Sequence, residues 1–116
     1  MKAVIYTRTA TEVQTSNNLE IQKNILTTYC ADNQIEIVKH FEEIFSGMTL
    51  NRPELSKLID FVIITKIDKI LVTSWNRLGR DFTAVSEMIS RLSAMIVEVE
   101  TIDNSEFTFF NFLISN

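Results

Sequence analysis

Apolar residues along this chain follow two patterns that take turns, and the patterns predict strands and helices in alternation. Short apolar runs such as Ile70-Leu71-Val72 are typical of strands covered on both faces, as in a parallel sheet. Longer segments with apolar residues three and four positions apart are typical of amphipathic helices. The patterns predict strands at about 2–7, 35–41, 69–73 and 96–101, and helices at about 18–32, 53–66, 82–94 and 106–114.

This order of elements predicts one α/β domain. Its sheet should be mostly parallel, with four to five strands flanked by helices and joined by right-handed crossovers. Two helix starts carry their own signals. Pro53 suits the first turn of a helix, where its missing N–H costs nothing, and Asp81 can cap the next helix.

Composition is that of an ordinary globular domain, with 46% hydrophobic and 22% charged residues in a chain of 116. No apolar run is long enough to cross a membrane, and the first residues form a strand pattern, not a signal peptide. We therefore expect a cytoplasmic protein. The single Cys30 forbids an internal disulfide, and with one histidine, His40, it cannot make a zinc site.

The net charge argues against one class of function, a protein that binds DNA on its own. The formal net charge is −4, whereas a domain that binds DNA on its own is usually basic. A local basic site within a larger assembly stays compatible with this balance.

Arginines follow two of the predicted strands. Arg8 follows the first strand, Arg77 and Arg80 follow the third, and Arg52 lies in the loop before a helix. Because the carboxyl ends of parallel strands share one edge of the sheet, we expect the first three guanidiniums to converge. Each offers planar, bidentate donors that suit a phosphate, and such a clamp stabilises charge that develops on a phosphoryl group.

The same arginines could instead be surface residues paired with nearby carboxylates. That interpretation needs no ligand, and residue types alone leave it open. The carboxylates concerned are those of Glu42, Glu43 and Asp81.

Four short motifs occur in a fixed order and favour the phosphate interpretation. In this order and spacing they resemble the catalytic domain of the serine recombinases, the resolvase/invertase family, over nearly the whole chain. The family has Tyr-x-Arg-Val-Ser-x-x-x-Gln, then Leu-x-x-Gln, then an acidic residue before Ser-Gly with Arg five residues on, and finally Asp-Arg-Leu-x-Arg. The corresponding segments are Tyr6-Thr7-Arg8-Thr9-Ala10-Thr11-Glu12-Val13-Gln14; Leu19-Glu20-Ile21-Gln22; Glu43, Ser46-Gly47 and Arg52-Pro53-Glu54-Leu55; and Asn76-Arg77-Leu78-Gly79-Arg80-Asp81.

The resemblance implies a reaction on DNA. In the family a serine hydroxyl attacks a phosphodiester and forms a 5′-phosphoserine link, and a tetramer then exchanges and rejoins half-sites without a metal or nucleotide cofactor. By position, the scissile phosphate would be contacted by Arg8, Arg77 and Arg80. Arg52 would support the phosphate or the leaving group, while Gln14 and Gln22 would lie behind the arginines.

Several positions depart from the family pattern. Ala10 stands at the nucleophile position, and a methyl group has no oxygen with which to attack. Thr9 and Thr11 flank it, but successive side chains in an extended segment point to opposite faces, so either could act only after a rearrangement. Asn76 replaces an aspartate that could orient an arginine, and Glu43 replaces an aspartate more conservatively.

The last predicted helix is apolar nearly all round because it contains Phe107, Phe109, Phe110 and Phe112. Such a helix must be buried on two sides, so we expect this segment to contact a second copy of the chain or a recombinase. The resemblance covers 1–116, with no DNA-binding domain, so we expect DNA contact to be weak or to occur through a partner.

Three hypotheses follow. In the first, the chain is a recombinase-like protein that lacks the nucleophile and regulates a recombinase. In the second, it is the catalytic domain of an active recombinase, shortened and changed from serine to alanine. In the third, it is a scaffold whose arginine pocket binds some other anion.

Overall fold

Four parallel strands form one sheet in the computed structural model, which describes residues 1–9, 15–45, 52–79 and 81–102. The strands lie in the order β2-β1-β3-β4, and all three neighbouring pairs are parallel. The predicted α/β domain with a parallel sheet is confirmed, with four strands in the described part. Their bounds are β1 Lys2–Thr9, β2 Glu36–Ile44, β3 Lys69–Val72 and β4 Glu98–Thr101.

Three helices connect the strands. They are α1 Thr15–Asp32, α2 Pro53–Thr65 and α3 Phe82–Ala94, and a 3₁₀ turn spans Trp75–Arg77. Pro53 is the first residue of α2, as predicted. Asp81 caps α3, because its carboxylate accepts from the Ala84 N–H at 3.2 Å.

Several boundaries differ from the predicted ones. β2 continues to Ile44 through residues predicted as loop, because its pairing with β1 continues to the Thr9–Ile44 pair. α1 begins at Thr15, within another predicted loop. β4 begins only at Glu98, since the Val97 N–H still bonds the Leu92 carbonyl at the end of α3. The predicted helix at 106–114 lies outside the described residues.

The core has two unequal halves, because successive strand side chains point to opposite faces. On one face α2 and α3 cover Val4, Tyr6, Ile70 and Val72. On the other face α1 packs Leu26 and Cys30 on a smaller cluster made of Ala3, Ile5 and Leu71. In the part of the chain that the structure describes, no helix is long and apolar enough to cross a membrane.

The two edges of the sheet therefore differ. At the edge where the strands end, the chain leaves β1 at Thr9, β2 at Ile44 and β3 at Val72. The helices end at the opposite edge. There a non-glycine residue with positive φ follows each helix: Gln34 (57°), Lys66 (57°) and Ile96 (62°).

His40 links β2 to β1 through its side chain, and its burial leads us to expect that the stability of the fold depends on pH. Its Nε2 lies 2.8 Å from the Thr7 hydroxyl, and burial lowers its pKa, against an opposing effect of Glu42. The folded state therefore favours the neutral ring. The free energy of unfolding should be highest above the ordinary histidine pKa of 6.5 and should decrease as the pH falls below that value. Urea unfolding between about pH 7.5 and pH 5.5 would measure this. His40→Gln should flatten the dependence, and an unchanged slope in that variant would contradict the assignment.

Candidate functional site

Arg8 lies at the end of β1, and its guanidinium donates hydrogen bonds to main-chain carbonyls. Only 2% of the residue is exposed. Nε donates to the Arg77 carbonyl at 2.9 Å, Nη2 to the Asn76 carbonyl at 2.7 Å and Nη1 to the Phe45 carbonyl at 2.6 Å. One side chain thus ties the end of β2 and the loop after β3 to β1.

Gln22 of α1 holds the backbone of the same arginine. Its Oε1 accepts from the Arg8 N–H at 3.1 Å, and its Nε2 donates to the Arg8 carbonyl at 2.9 Å. The amide pairs with β1 much as a neighbouring strand would. Arg77 Nη1 also donates to the Arg8 carbonyl, at 3.2 Å, so the loop after β3 and α1 meet at one peptide group.

Arg52, the residue before α2, is wholly buried, with 0% exposure. Its Nη2 donates to the Leu78 carbonyl, its Nε lies 3.9 Å from Glu43 Oε1, and its Cζ lies 5.8 Å from the centre of the Tyr6 ring. Burial lowers the pKa of this guanidinium, while Tyr6 and Glu43 raise it. In the described part of the chain, neither Nε nor Nη1 has a hydrogen-bond partner.

Glu43 is the carboxylate of this cluster. Its Oε1 accepts from the Tyr6 hydroxyl at 2.7 Å, and its Oε2 accepts from the Glu54 N–H at 2.9 Å. It therefore also supplies an anion at the N-terminal end of α2, where the helix dipole favours one. Burial raises the pKa of Tyr6 well above its usual value, so the phenol stays protonated and donates.

Six of the nine predicted site residues lie together at the edge where the strands end. The backbone carbonyl of Asn76 faces Arg8, whereas its exposed side chain accepts from the Ser74 hydroxyl at 2.6 Å. The six are Arg8, Gln22, Glu43, Arg52, Asn76 and Arg77. The other three, Ala10, Gln14 and Arg80, lie outside the described residues.

Sequence reasoning gave no role to Tyr6 or to the backbone carbonyls. A tyrosine within an apolar strand does carry a signal, since a buried hydroxyl usually finds a partner. The carbonyls of Phe45 and Leu78 carry none, because every residue type has one.

The cluster described above contains more guanidiniums than carboxylates. It has the guanidiniums of Arg8, Arg52 and Arg77 and one buried carboxylate, that of Glu43, which lies beside Arg52, in a chain whose net charge is −4. Among the described residues, no group of three or more histidine, cysteine or acidic side chains could hold a metal ion. The cluster suits an anionic ligand better than a cation.

Several solved structures of similar fold are recombinase domains. The C-terminal catalytic domain of ISC1926 TnpA, an IS607-like serine recombinase, is 29% identical with a TM-score of 0.84, and the match covers 99% of this chain and 77% of that one. The N-terminal catalytic domain of TP901-1 integrase is 23% identical with a TM-score of 0.81, covering 98% and 90%. A resolvase family site-specific recombinase from Streptococcus pneumoniae is 19% identical with a TM-score of 0.77, covering 99% and 83%. The latter two likenesses show the fold alone.

A family comparison covers most of the sequence. The family described as "Resolvase, N terminal domain" matches residues 3–111. That span includes all four motifs and the described sheet except Lys2, the first residue of β1. The chain therefore belongs to the resolvase N-terminal domain family.

Proposed function

We propose that this chain is a serine-recombinase-like domain that does not cleave DNA and instead regulates a recombinase by binding it. The observation that carries the proposal is Ala10, which stands where the family motif has its serine. Phosphoserine formation needs a hydroxyl oxygen that attacks phosphorus, and alanine offers none. The domain would keep the surface of a recombinase but would not cleave DNA.

The contacts of the arginines support this proposal. A guanidinium that binds a scissile phosphate must direct N–H groups at it. Arg8 directs three donors at carbonyls of its own chain, and Arg52 is fully buried. Both side chains would have to leave these places before they could hold a phosphate, so in this proposal their main role is to shape the strand edge.

Partners follow from the same proposal. The Phe-rich segment at 107–114 would contact a recombinase or a second copy of the chain, and DNA would be bound weakly or through that partner. The arginine edge would then lie close to a phosphate backbone that the partner holds. The chain would need no metal or nucleotide cofactor, because family chemistry uses neither.

A DNA cleavage assay tests the proposal. Supercoiled plasmid carrying the recombination site of an active serine recombinase from the same cell would be incubated with the chain, and SDS-resistant protein–DNA adducts would be collected. The chain alone should give no adduct. When the active recombinase is present, the chain should reduce its yield of recombined plasmid in proportion to the amount added.

The Ala10→Ser variant separates the alternatives. If it forms adducts on the same plasmid, the arginines can still assemble around a phosphate. That result would support the hypothesis that the chain is an active domain altered at its nucleophile. Ala10→Ser combined with Arg8→Met is the matched control. Adducts formed by the unaltered chain, or an unchanged yield from the added recombinase, would contradict the proposal.

A further inference from the structure

β2 is the outermost strand of the sheet, and among the described residues no strand pairs with its other side. It is nine residues long, whereas strands are commonly about five or six. The Phe45 N–H bonds the Thr9 carbonyl of β1, and main-chain groups alternate in direction along a strand. The N–H and C=O groups of His40, Glu42 and Ile44 therefore point away from β1. We call these groups the open side of β2.

The open side of β2 is a template for strands of other molecules, because unpaired N–H and C=O groups can continue a sheet. The chain also contains a segment whose composition favours such pairing. Residues 107–114 read Phe-Thr-Phe-Phe-Asn-Phe-Leu-Ile, without charge, proline or glycine. Copies of the chain would therefore tend to aggregate through β2 unless the fold prevents it.

A bulge interrupts the first half of β2. Ala3 pairs with Ile37, and Val4 pairs with Lys39. Val38 is therefore an extra residue without a partner in β1. A bulge bends its strand and increases the local twist, and natural sheets use bulges to keep their outer strands from pairing. The regular part of β2 thus begins only at Lys39.

The ammonium of Lys39 is held in place by two aromatic rings. Its Nζ lies 5.0 Å from the centre of the Phe41 ring and 5.3 Å from the centre of the Phe61 ring on α2. The two rings pack edge to face, 5.8 Å apart, and Phe41 is buried. An ammonium is attracted to the faces of aromatic rings, so the rings keep the charge of this exposed side chain beside the outermost strand.

This position of the charge opposes the addition of a strand. A strand added to β2 would lie about 4.8 Å from it, and its side chains on the α2 side of the sheet would meet the Lys39 ammonium. Burying the ammonium away from water costs free energy, and moving it away breaks both ring contacts. Lysine on an outer strand is one of the means by which natural sheets avoid pairing with one another.

We propose that Lys39 is a gatekeeper residue, whose ammonium, held by Phe41 and Phe61, keeps the open side of β2 from pairing with strands of other molecules. The bulge at Val38 protects the first half of the strand, and Lys39 protects the part that follows. The proposal does not depend on the function proposed above, since it concerns how the folded chain avoids aggregation.

Lys39→Met tests the proposal, because methionine has nearly the length of lysine without its charge. The full chain would be incubated under native conditions, and the loss of monomer followed by size-exclusion chromatography and light scattering. We expect Lys39→Met to lose monomer at least about fivefold faster than the unaltered chain, the factor that one ammonium–ring interaction at an exposed site represents. Lys39→Arg should behave as the unaltered chain, since a guanidinium also binds aromatic faces. Lys57→Met, which removes an exposed ammonium from a helix, is the matched control.

Hydrogen exchange shows where the aggregated molecules contact one another. In aggregates of Lys39→Met the N–H groups of His40, Glu42 and Ile44 should be protected, whereas in the monomer they exchange with solvent. Equal rates for Lys39→Met and Lys57→Met would overturn the proposal, as would aggregation of Lys39→Arg at the rate of Lys39→Met. So would protection confined to residues 107–114, because the contact would then not involve β2. The protection pattern decides even if Lys39→Met unfolds more easily, since unfolded chains would not associate through these three N–H groups in particular.

Discussion

Replacing Glu43 by alanine is expected to lower the free energy of unfolding by about 3–5 kcal/mol, the usual cost of leaving a buried charge without its partner. Three groups lose their partner at once. The Arg52 guanidinium loses the carboxylate 3.9 Å from its Nε, the Tyr6 hydroxyl loses its acceptor, and the Glu54 N–H in the first turn of α2 loses its cap. Urea unfolding measures the change, with the neighbouring, exposed Glu42→Ala as the control. Equal small losses in the two variants would contradict the buried network.

The companion variant isolates the charge. Arg52→Met removes the cation from the apolar surroundings in which two of its N–H groups have no partner among the described residues. Combined with Glu43→Gln it should restore much of the stability, because a buried ion pair replaced by groups of similar volume is often nearly neutral. A double-mutant cycle gives the coupling energy between the two positions. A coupling near zero would mean that the two side chains act independently.

Arg8→Met is expected to lower the free energy of unfolding by about 3 kcal/mol or more, since three hydrogen bonds from a charged donor are lost and three carbonyls lose a donor. Arg8→Lys should recover only part of the loss, because an ammonium cannot reproduce the planar fork. Exposed Arg91→Met on α3 is the control. The same urea titration measures all three variants.

The opposite result for Arg8 would be informative. If Arg8 faced solvent as part of an empty phosphate site, its removal would cost the protein little stability. The loss of repulsion between Arg8 and Arg77 would even raise the stability. An unchanged or higher midpoint for Arg8→Met would therefore contradict the three carbonyl contacts and favour a ligand-binding role for the side chain.

Sequence periodicity predicted most of the fold because the apolar runs of β1 and β3 and the spacing in α2 and α3 are strong local signals. Glu42, Glu43 and Ile44 of β2 were missed, since glutamate is uncommon in strands and only pairing with β1 keeps the segment extended. Ile96 was assigned to a strand for the converse reason. Its residue type favours a strand, yet it lies two residues after the end of α3 and has a positive φ.

At the site, topology predicted that residues after β1 and β3 would meet, and Arg8 and Arg77 do meet. The groups that these guanidiniums contact could not be predicted from the sequence. Their acceptors are main-chain carbonyls, which no residue type announces. The burial of Arg52 was equally hidden, because an arginine before a proline in a loop has the sequence signature of a surface residue.

The three bonds from the Arg8 guanidinium have a consequence for any anion that comes to this edge. The end of β2 and the turn after β3 both bond the Arg8 guanidinium, so a ligand that displaces this side chain breaks a contact of each segment at once. Ligand binding is then coupled to the loss of these contacts, and the ligand must supply the free energy of breaking all three hydrogen bonds. Such a site would bind its ligand weakly until another change had already displaced the Arg8 side chain.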